Sequence, residues 1–138
     1  MDQKILKGSC VCGAVRYELS EPFRAFQYCH CSRCRRVSGA PHASNIFVAP
    51  AQFRFTAGQD KIRTFKLPEA RYWRNAFCED CGSRVPLASA LAPAVMVPAG
   101  GLEDTPEARP ERNIMWDSRA GWQVSTSELE CFATYPGQ

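Results

Sequence analysis

The sequence predicts an all-β domain made of several antiparallel sheets, and three observations lead to this prediction. Apolar and polar residues alternate in many short runs, and no window sustains the 3.6-residue period of an amphipathic helix. Glycines and prolines separate the runs, as in chains that turn often. With 138 residues the chain has the length of one domain, and we expect residues 1–138 to form a single unit.

Each predicted strand is a short segment that alternates or is rich in branched and aromatic residues. The first is the clearest, because its apolar side chains Val15, Tyr17 and Leu19 fall on one face. In chain order, the predicted strands are residues 14–19, 25–28, 43–48, 52–56, 61–66, 71–77, 85–91, 94–97, 113–116 and 128–134.

The segments between these strands have their own signals. Residues 8–13 are typical of a tight turn, and residues 33–38 have room for one helical turn before Gly39 and Pro41. Residues 99–112, rich in glycine, proline and acids, predict a long loop that forms a lid or the rim of the domain.

Seven of the eight cysteines fall in three motifs with metal-ligand spacing: C-x-C, C-x-C-x-x-C and C-x-x-C. Thiolates are preferred ligands of Zn²⁺; four of them close a site, whereas three leave a position open. We therefore predict a closed structural zinc that joins the early sheet to the middle of the chain, and an open zinc that is catalytic or exchangeable. The ligands, in that order, are Cys10, Cys12, Cys78 and Cys81, and then Cys29, Cys31 and Cys34.

Disulfides and redox chemistry are the alternatives for these cysteines. The chain starts without an apolar run of signal-peptide length and contains no run long enough to span a membrane, so we expect a cytoplasmic, reduced protein. A redox C-x-x-C follows a strand and opens a helix, whereas Gly82 predicts a turn after Cys81. The eighth thiol, Cys131, is expected to be buried in the last strand.

The charge of the chain points to a local electrostatic role only. The formal net charge is +3, and two Zn²⁺ ions bound by seven thiolates would bring it close to zero. No general attraction to nucleic acid or to a membrane surface follows. Arg33, Arg35 and Arg36 surround the predicted open zinc, where they can hold the carboxylates of a substrate or offset the charge of the thiolates.

Taken together, these motifs resemble the glutathione-dependent formaldehyde-activating enzyme family, which includes centromere protein V. The resemblance covers nearly the whole chain and is specific because seven cysteines have the family spacing. The segments that carry it are residues 8–17, 29–36, 38–41, 77–78, 81–83 and 97–100, followed by Ile114, residues 118–120, Trp122 and residues 135–136.

The resemblance implies a β-tent fold with one structural and one catalytic zinc, held by the two cysteine sets named above. It also implies a carbon-sulfur lyase that joins formaldehyde, or a related small aldehyde, to the thiol of glutathione or a similar molecule, giving S-(hydroxymethyl)glutathione. The relationship to centromere protein V leaves open an alternative, a non-catalytic zinc module that binds protein or nucleic acid.

Two positions depart from the family pattern. His42 stands where a phenylalanine is usual, and Asn113 stands where a histidine often precedes the Ile114 strand. Both are expected near the substrate. His42 could act as a fourth zinc ligand or simply pack at the surface, whereas Asn113 removes an imidazole.

Overall fold

The computed structural model of the protein describes residues 4–88 and 93–137. Within these residues the chain forms short strands, one short α-helix and several single turns of 3-10 helix. The elements are β1 (Ile5–Ser9), β2 (Arg16–Ser20), β3 (Ala25–Cys29), α1 (Ser32–Ser38), β4 (Ala43–Val48), β5 (Phe53–Ala57), β6 (Ile62–Lys66), β7 (Arg74–Cys78), β8 (Val95–Pro98) and β9 (Arg112–Ile114). The prediction of a mainly β fold is confirmed. The helical turn predicted for residues 33–38 is observed as the longer helix α1, which begins at Ser32 inside the cysteine motif and contains Cys34.

The strands are arranged in three sheets. Sheet A has the order β1-β2-β5, sheet B the order β8-β4-β3-β9, and sheet C pairs β6 with β7. All pairs are antiparallel except β3 and β9, which run parallel, so the prediction of antiparallel sheets is wrong for that pair. Parallel neighbours need a long crossover connection. Here the connection contains all the elements from α1 to β8.

The main hydrophobic core lies between sheets A and B. Leu6, Tyr17 and Leu19 of sheet A are at most 2% exposed, and they pack with the fully buried Ile46 and Val97 of sheet B. Alternation along the strands directs these side chains to one face of each sheet, as the pattern in β2 predicts.

A second, smaller core lies between sheet C and the turn that joins β1 to β2. It contains Val15, Ala76 and Val85, together with the buried thiols of Cys10 and Cys78. Sheet C therefore directs one face to this core and the other face away from it.

Helix α1 is seven residues long and is bounded at both ends. Cys31 is its N-cap, and the Cys31 Sγ accepts a hydrogen bond from the Cys34 N–H at 3.3 Å. Gly39 ends the helix in the left-handed region, with φ of 65°, and its N–H donates to the Arg35 carbonyl at 2.8 Å.

No helix in residues 4–88 and 93–137 is long and apolar enough to cross a membrane.

Strand β1 is missing from the sequence prediction, which begins a turn at residue 8. The inward positions of β1 are Leu6 and Gly8, and Gly8 lies under the ring of Tyr17, where a Cβ would overlap the ring atoms. Gly8 therefore occupies an inward strand position because the Tyr17 ring leaves no room for a side chain. In the sequence the same glycine is easily taken as the sign of a turn.

The C-terminal part of the chain also differs from the prediction. After β9 the described residues contain no further strand, and Cys131 is exposed rather than buried. The predicted strand 113–116 is observed as β9, which ends at Ile114, and the next residue, Met115, has a positive φ of 55°. Of the predicted strand 85–91, the described residues form one isolated bridge, at Leu87, and residues 89–91 lie outside the described ranges.

Gly8→Ala should lower the free energy of unfolding by about 1–3 kcal/mol, because the new Cβ must displace the Tyr17 ring from a packed core. Urea denaturation measures this change. Gly100→Ala is the matched control, since nothing lies within 4 Å of a Cβ at that position. Equal stability losses in the two variants would contradict the close approach.

Candidate metal centres and substrate groove

Four cysteines from two turns meet between sheets A and C. Cys10 and Cys12 lie in the turn before β2, while Cys78 ends β7 and Cys81 follows three residues later. All four Sγ atoms lie within 4.8 Å of one another, with 3.5 Å between Cys10 and Cys12 and 3.9 Å between Cys12 and Cys78. Tetrahedral Zn–S bonds of ~2.3 Å place sulfurs about 3.8 Å apart, so this donor set fits Zn²⁺.

The two turns that carry these cysteines are shaped by glycine. Gly13 and Gly82 have φ values of 80° and 77°, in the left-handed region that residues with a Cβ rarely adopt. The positive φ of Gly82 confirms the turn predicted after the C-x-x-C motif. The first turn also directs the Val15 N–H to the Cys10 Sγ at 3.3 Å, a bond that supports a thiolate.

Ser83 links the two turns. Its Oγ accepts a hydrogen bond from the Val11 N–H at 3.1 Å and lies 3.3 Å from the Cys81 Sγ. Hydrogen bonds from the Ser83 side chain and backbone, followed by the Cys12 N–H, lower the pKa of Cys81 to about 6. The thiolate form that a metal requires is therefore favoured at Cys81.

The three central cysteines form the second cluster. Cys29 ends β3, Cys31 caps α1 and Cys34 lies in the first turn of α1, and their Sγ atoms are all within 4.8 Å of one another. Cys29 and Cys34 are buried, and Ala43 and Ile114 pack against them. Within the described residues no further cysteine, histidine or carboxylate joins this set, so a metal held here would keep an open position.

The thiols of this cluster differ in their tendency to ionise. Burial opposes ionisation of Cys31, but the Cys34 N–H and the neighbouring thiols outweigh it, and the pKa of Cys31 is lowered. Burial is the main cause that raises the pKa of Cys29 and of Cys34. Among the three, Cys31 is thus the group that holds negative charge most readily.

A groove of about 750 Å³ runs between α1 and sheet C, next to this cluster. Ser32, which lies inside the cysteine motif, lines it together with Arg33 and Arg36. Phe65 and Trp73 form apolar parts of the opposite wall. The structure therefore brings two of the three predicted arginines to one groove, whereas Arg35 does not line it.

Arg84 is a further cation near the cluster, and the sequence analysis does not identify it. It faces Asn75 across the β7 hairpin, and its Nε donates to the Asn75 Oδ1 at 2.9 Å. Burial lowers the pKa of the Arg84 guanidinium, while the charges of Cys34, Cys29 and Cys31 oppose that shift. No local signal marks Arg84, because about fifty residues separate it from the cysteines that it faces.

His42 and Asn113 lie on the other face of sheet B from Cys29. The rings of His42 and Tyr28 stack at 3.9 Å, and the Asn113 Oδ1 is 2.8 Å from the His30 Nε2. His42 is therefore not grouped with the three cysteines, and the structure gives no support to its role as a fourth ligand. His30 lies between two of the cysteines in the chain, but its ring is directed to the side of Asn113.

The fold and the two clusters define a small β protein with two thiol-rich candidate metal sites. Residues 5–118 match the family model described as glutathione-dependent formaldehyde-activating enzyme. The chain belongs to this family. The family name denotes enzymes that act on formaldehyde with glutathione.

One similar protein has the name of the same family, and one solved structure shares the fold. A Halomonas elongata protein with the provisional name of glutathione-dependent formaldehyde-activating enzyme is 28% identical, over 97% of this chain and 90% of its own length. The crystal structure of a Rhodobacter sphaeroides protein has a TM-score of 0.59 and 24% identity, and the match covers 78% of this chain and 98% of that one. The second similarity establishes a common fold.

With a metal ion held in the four-cysteine cluster, Cys78→Ser should release that ion and lower the free energy of unfolding by about 4 kcal/mol or more, because it opens a site that joins two sheets. With a metal ion held in the three-cysteine cluster, Cys34→Ser should release that ion with a smaller loss of stability. Metal analysis and urea denaturation of the purified variants measure both effects.

The control is Cys131→Ser, which changes an exposed thiol outside both clusters. It should leave the metal content and the stability unchanged. Retention of full metal content by Cys78→Ser would rule out the four-cysteine site.

Proposed function

We propose that this protein is a zinc-dependent carbon-sulfur lyase that joins a glutathione-like thiol to formaldehyde or a related small aldehyde. The observation that carries the proposal is the incomplete cluster of Cys29, Cys31 and Cys34 beside a groove lined by arginines. Family membership supports the same substrates. In this proposal the cluster of Cys10, Cys12, Cys78 and Cys81 holds a purely structural zinc.

Three thiolates are a donor set that suits Zn²⁺ and leaves room for one more ligand. A zinc bound there would lower the pKa of an incoming thiol, so that the thiol is available as thiolate at neutral pH. In this proposal Cys29, Cys31 and Cys34 have no part in bond making, and they act as ligands only.

The arginines of the groove are proposed to hold the carboxylates of the thiol substrate. A guanidinium binds a carboxylate through two parallel hydrogen bonds and so fixes its orientation as well as its position. Arg33 and Arg36 lie on α1, one turn apart, at the side of the groove. A peptide held there would direct its sulfur to the cluster, and Phe65 and Trp73 would cover its apolar part.

In the reaction a C–S bond and an O–H bond form, while the S–H bond of the thiol and the C=O π bond break. The sulfur of the thiolate attacks the carbon of formaldehyde, a C–S bond forms, and the electron pair of the C=O π bond moves to oxygen. The oxygen then takes a proton from water, which gives the hydroxymethyl thioether. Because thiols add to formaldehyde without help, the contribution expected of the protein is positioning and deprotonation of the thiol.

Arg33→Gln combined with Arg36→Gln should raise the KM for glutathione about tenfold or more while kcat changes little, because two charge-assisted contacts are lost before the chemistry begins. Exchange NMR with ¹³C-formaldehyde measures the rate of adduct formation at equilibrium, above the uncatalysed rate. Arg54→Gln, a surface arginine paired with Glu18 in sheet A, is the matched control.

Cys31→Ser should abolish the acceleration while the four-cysteine site keeps its metal and the far-UV spectrum is unchanged. An active, folded Cys31→Ser protein would exclude the role of the open cluster. If wild-type protein gave no acceleration but bound DNA or RNA with steep salt dependence, the alternative of a nucleic-acid-binding module would replace the enzyme.

A further inference from the structure

Sheet C carries large apolar side chains on the face that does not meet a core. Ile62 and Ala76 are on its core face, which packs against the four-cysteine region. Strand alternation directs Phe65, the partner of Asn75 in the register, to the opposite face. Phe65 is 51% exposed there. Burial in the domain therefore does not explain an aromatic residue at this position, and the informative feature is an apolar group left open to solvent.

The apolar surface continues along the groove beside α1. Leu67 and Trp73 extend the wall that Phe65 begins, with the Leu67 N–H donating to the Trp73 carbonyl at 3.3 Å, and Val37 adds an apolar side chain from α1. The groove, of about 750 Å³, is within the size range of small-molecule sites. Its two walls differ in character, because the arginines belong to α1 and most of the apolar surface belongs to sheet C.

The reactants named in the proposed function leave this apolar wall largely unused. Formaldehyde has only hydrogen atoms on its carbon, and glutathione has no apolar side chain. With its carboxylates at Arg33 and Arg36, the thiol substrate is held at the α1 side of the groove. Phe65 and Trp73, on the facing wall, are then placed to contact the group attached to the aldehyde carbon. Contact with a ring-sized group there would raise the affinity about tenfold or more.

We propose that the preferred aldehyde carries an aromatic group, which packs against Phe65 and Trp73. This inference rests on the proposed function, because it concerns the second reactant of that reaction. The bond changes are the same as for formaldehyde: the C–S and O–H bonds form, the S–H bond and the C=O π bond break, and the aromatic group takes no part in them. Val37, Phe65, Leu67 and Trp73 then determine specificity, and formaldehyde gains nothing from them.

Isothermal titration of the purified protein with two glutathione thioethers tests the proposal. S-(2-Phenylethyl)glutathione resembles the adduct of phenylacetaldehyde, and S-methylglutathione resembles the adduct of formaldehyde. Neither thioether has an S–H group, so neither needs a metal in the open cluster to deprotonate it. We expect the phenylethyl compound to bind about tenfold or more tightly than the methyl compound. Trp73→Ala and Phe65→Ala should each reduce this preference severalfold and leave the affinity for S-methylglutathione unchanged.

Trp122→Ala is the matched control, because Trp122 is 65% exposed and does not line the groove. It should keep the preference, as should Cys31→Ser, which alters the open cluster. Phe65→Ala removes an exposed side chain, so the test holds even if Trp73→Ala fails to fold. Equal affinities of the two thioethers, or equal losses of both in these two variants, would overturn the inference and leave the proposed function standing. If neither thioether bound, the thiol site of the proposed function would fail, and this inference with it.

Discussion

The contact between the two cysteine turns is the constraint on which the rest of this structure depends. It joins the turn before β2 to the end of β7, so residues separated by sixty-six positions are held within a few ångströms. The surrounding core is small, and its buried residues include the thiols themselves. A metal in this cluster would contribute directly to folding, because the unfolded chain has no preformed site.

The position of sheet C follows from this connection. With one face fixed against the four-cysteine core, the other face presents Phe65, Trp73, Asn75 and Arg84. This outer face is the wall of the groove beside α1. The four-cysteine cluster therefore packs against the sheet that forms one wall of the candidate substrate groove, although none of its cysteines lines that groove.

Much of this arrangement can be predicted from the sequence, because it depends on local spacing. The thiols of cysteines two or three residues apart lie close together whatever the rest of the chain does. The alternation of apolar and polar residues locates β2 because it depends only on residues adjacent in the sequence. What escapes prediction depends on contacts between distant segments. Position 8 requires glycine because the Tyr17 ring packs against it, and the charge of Arg84 interacts with Cys34, fifty residues away. Strand β9 is parallel to β3 because the long loop brings the chain back to that edge of sheet B.

The place of β9 in sheet B has a consequence for the order of assembly. Ile114, one wall of the three-cysteine cluster, is synthesised some eighty residues after Cys34. During translation Cys29, Cys31 and Cys34 are therefore synthesised early, before Ile114 is present to cover one side of the cluster. Pairing of β9 with β3 then brings Ile114 against the buried thiols, so this side of the cluster is covered only when the last strand of the sheet is in place.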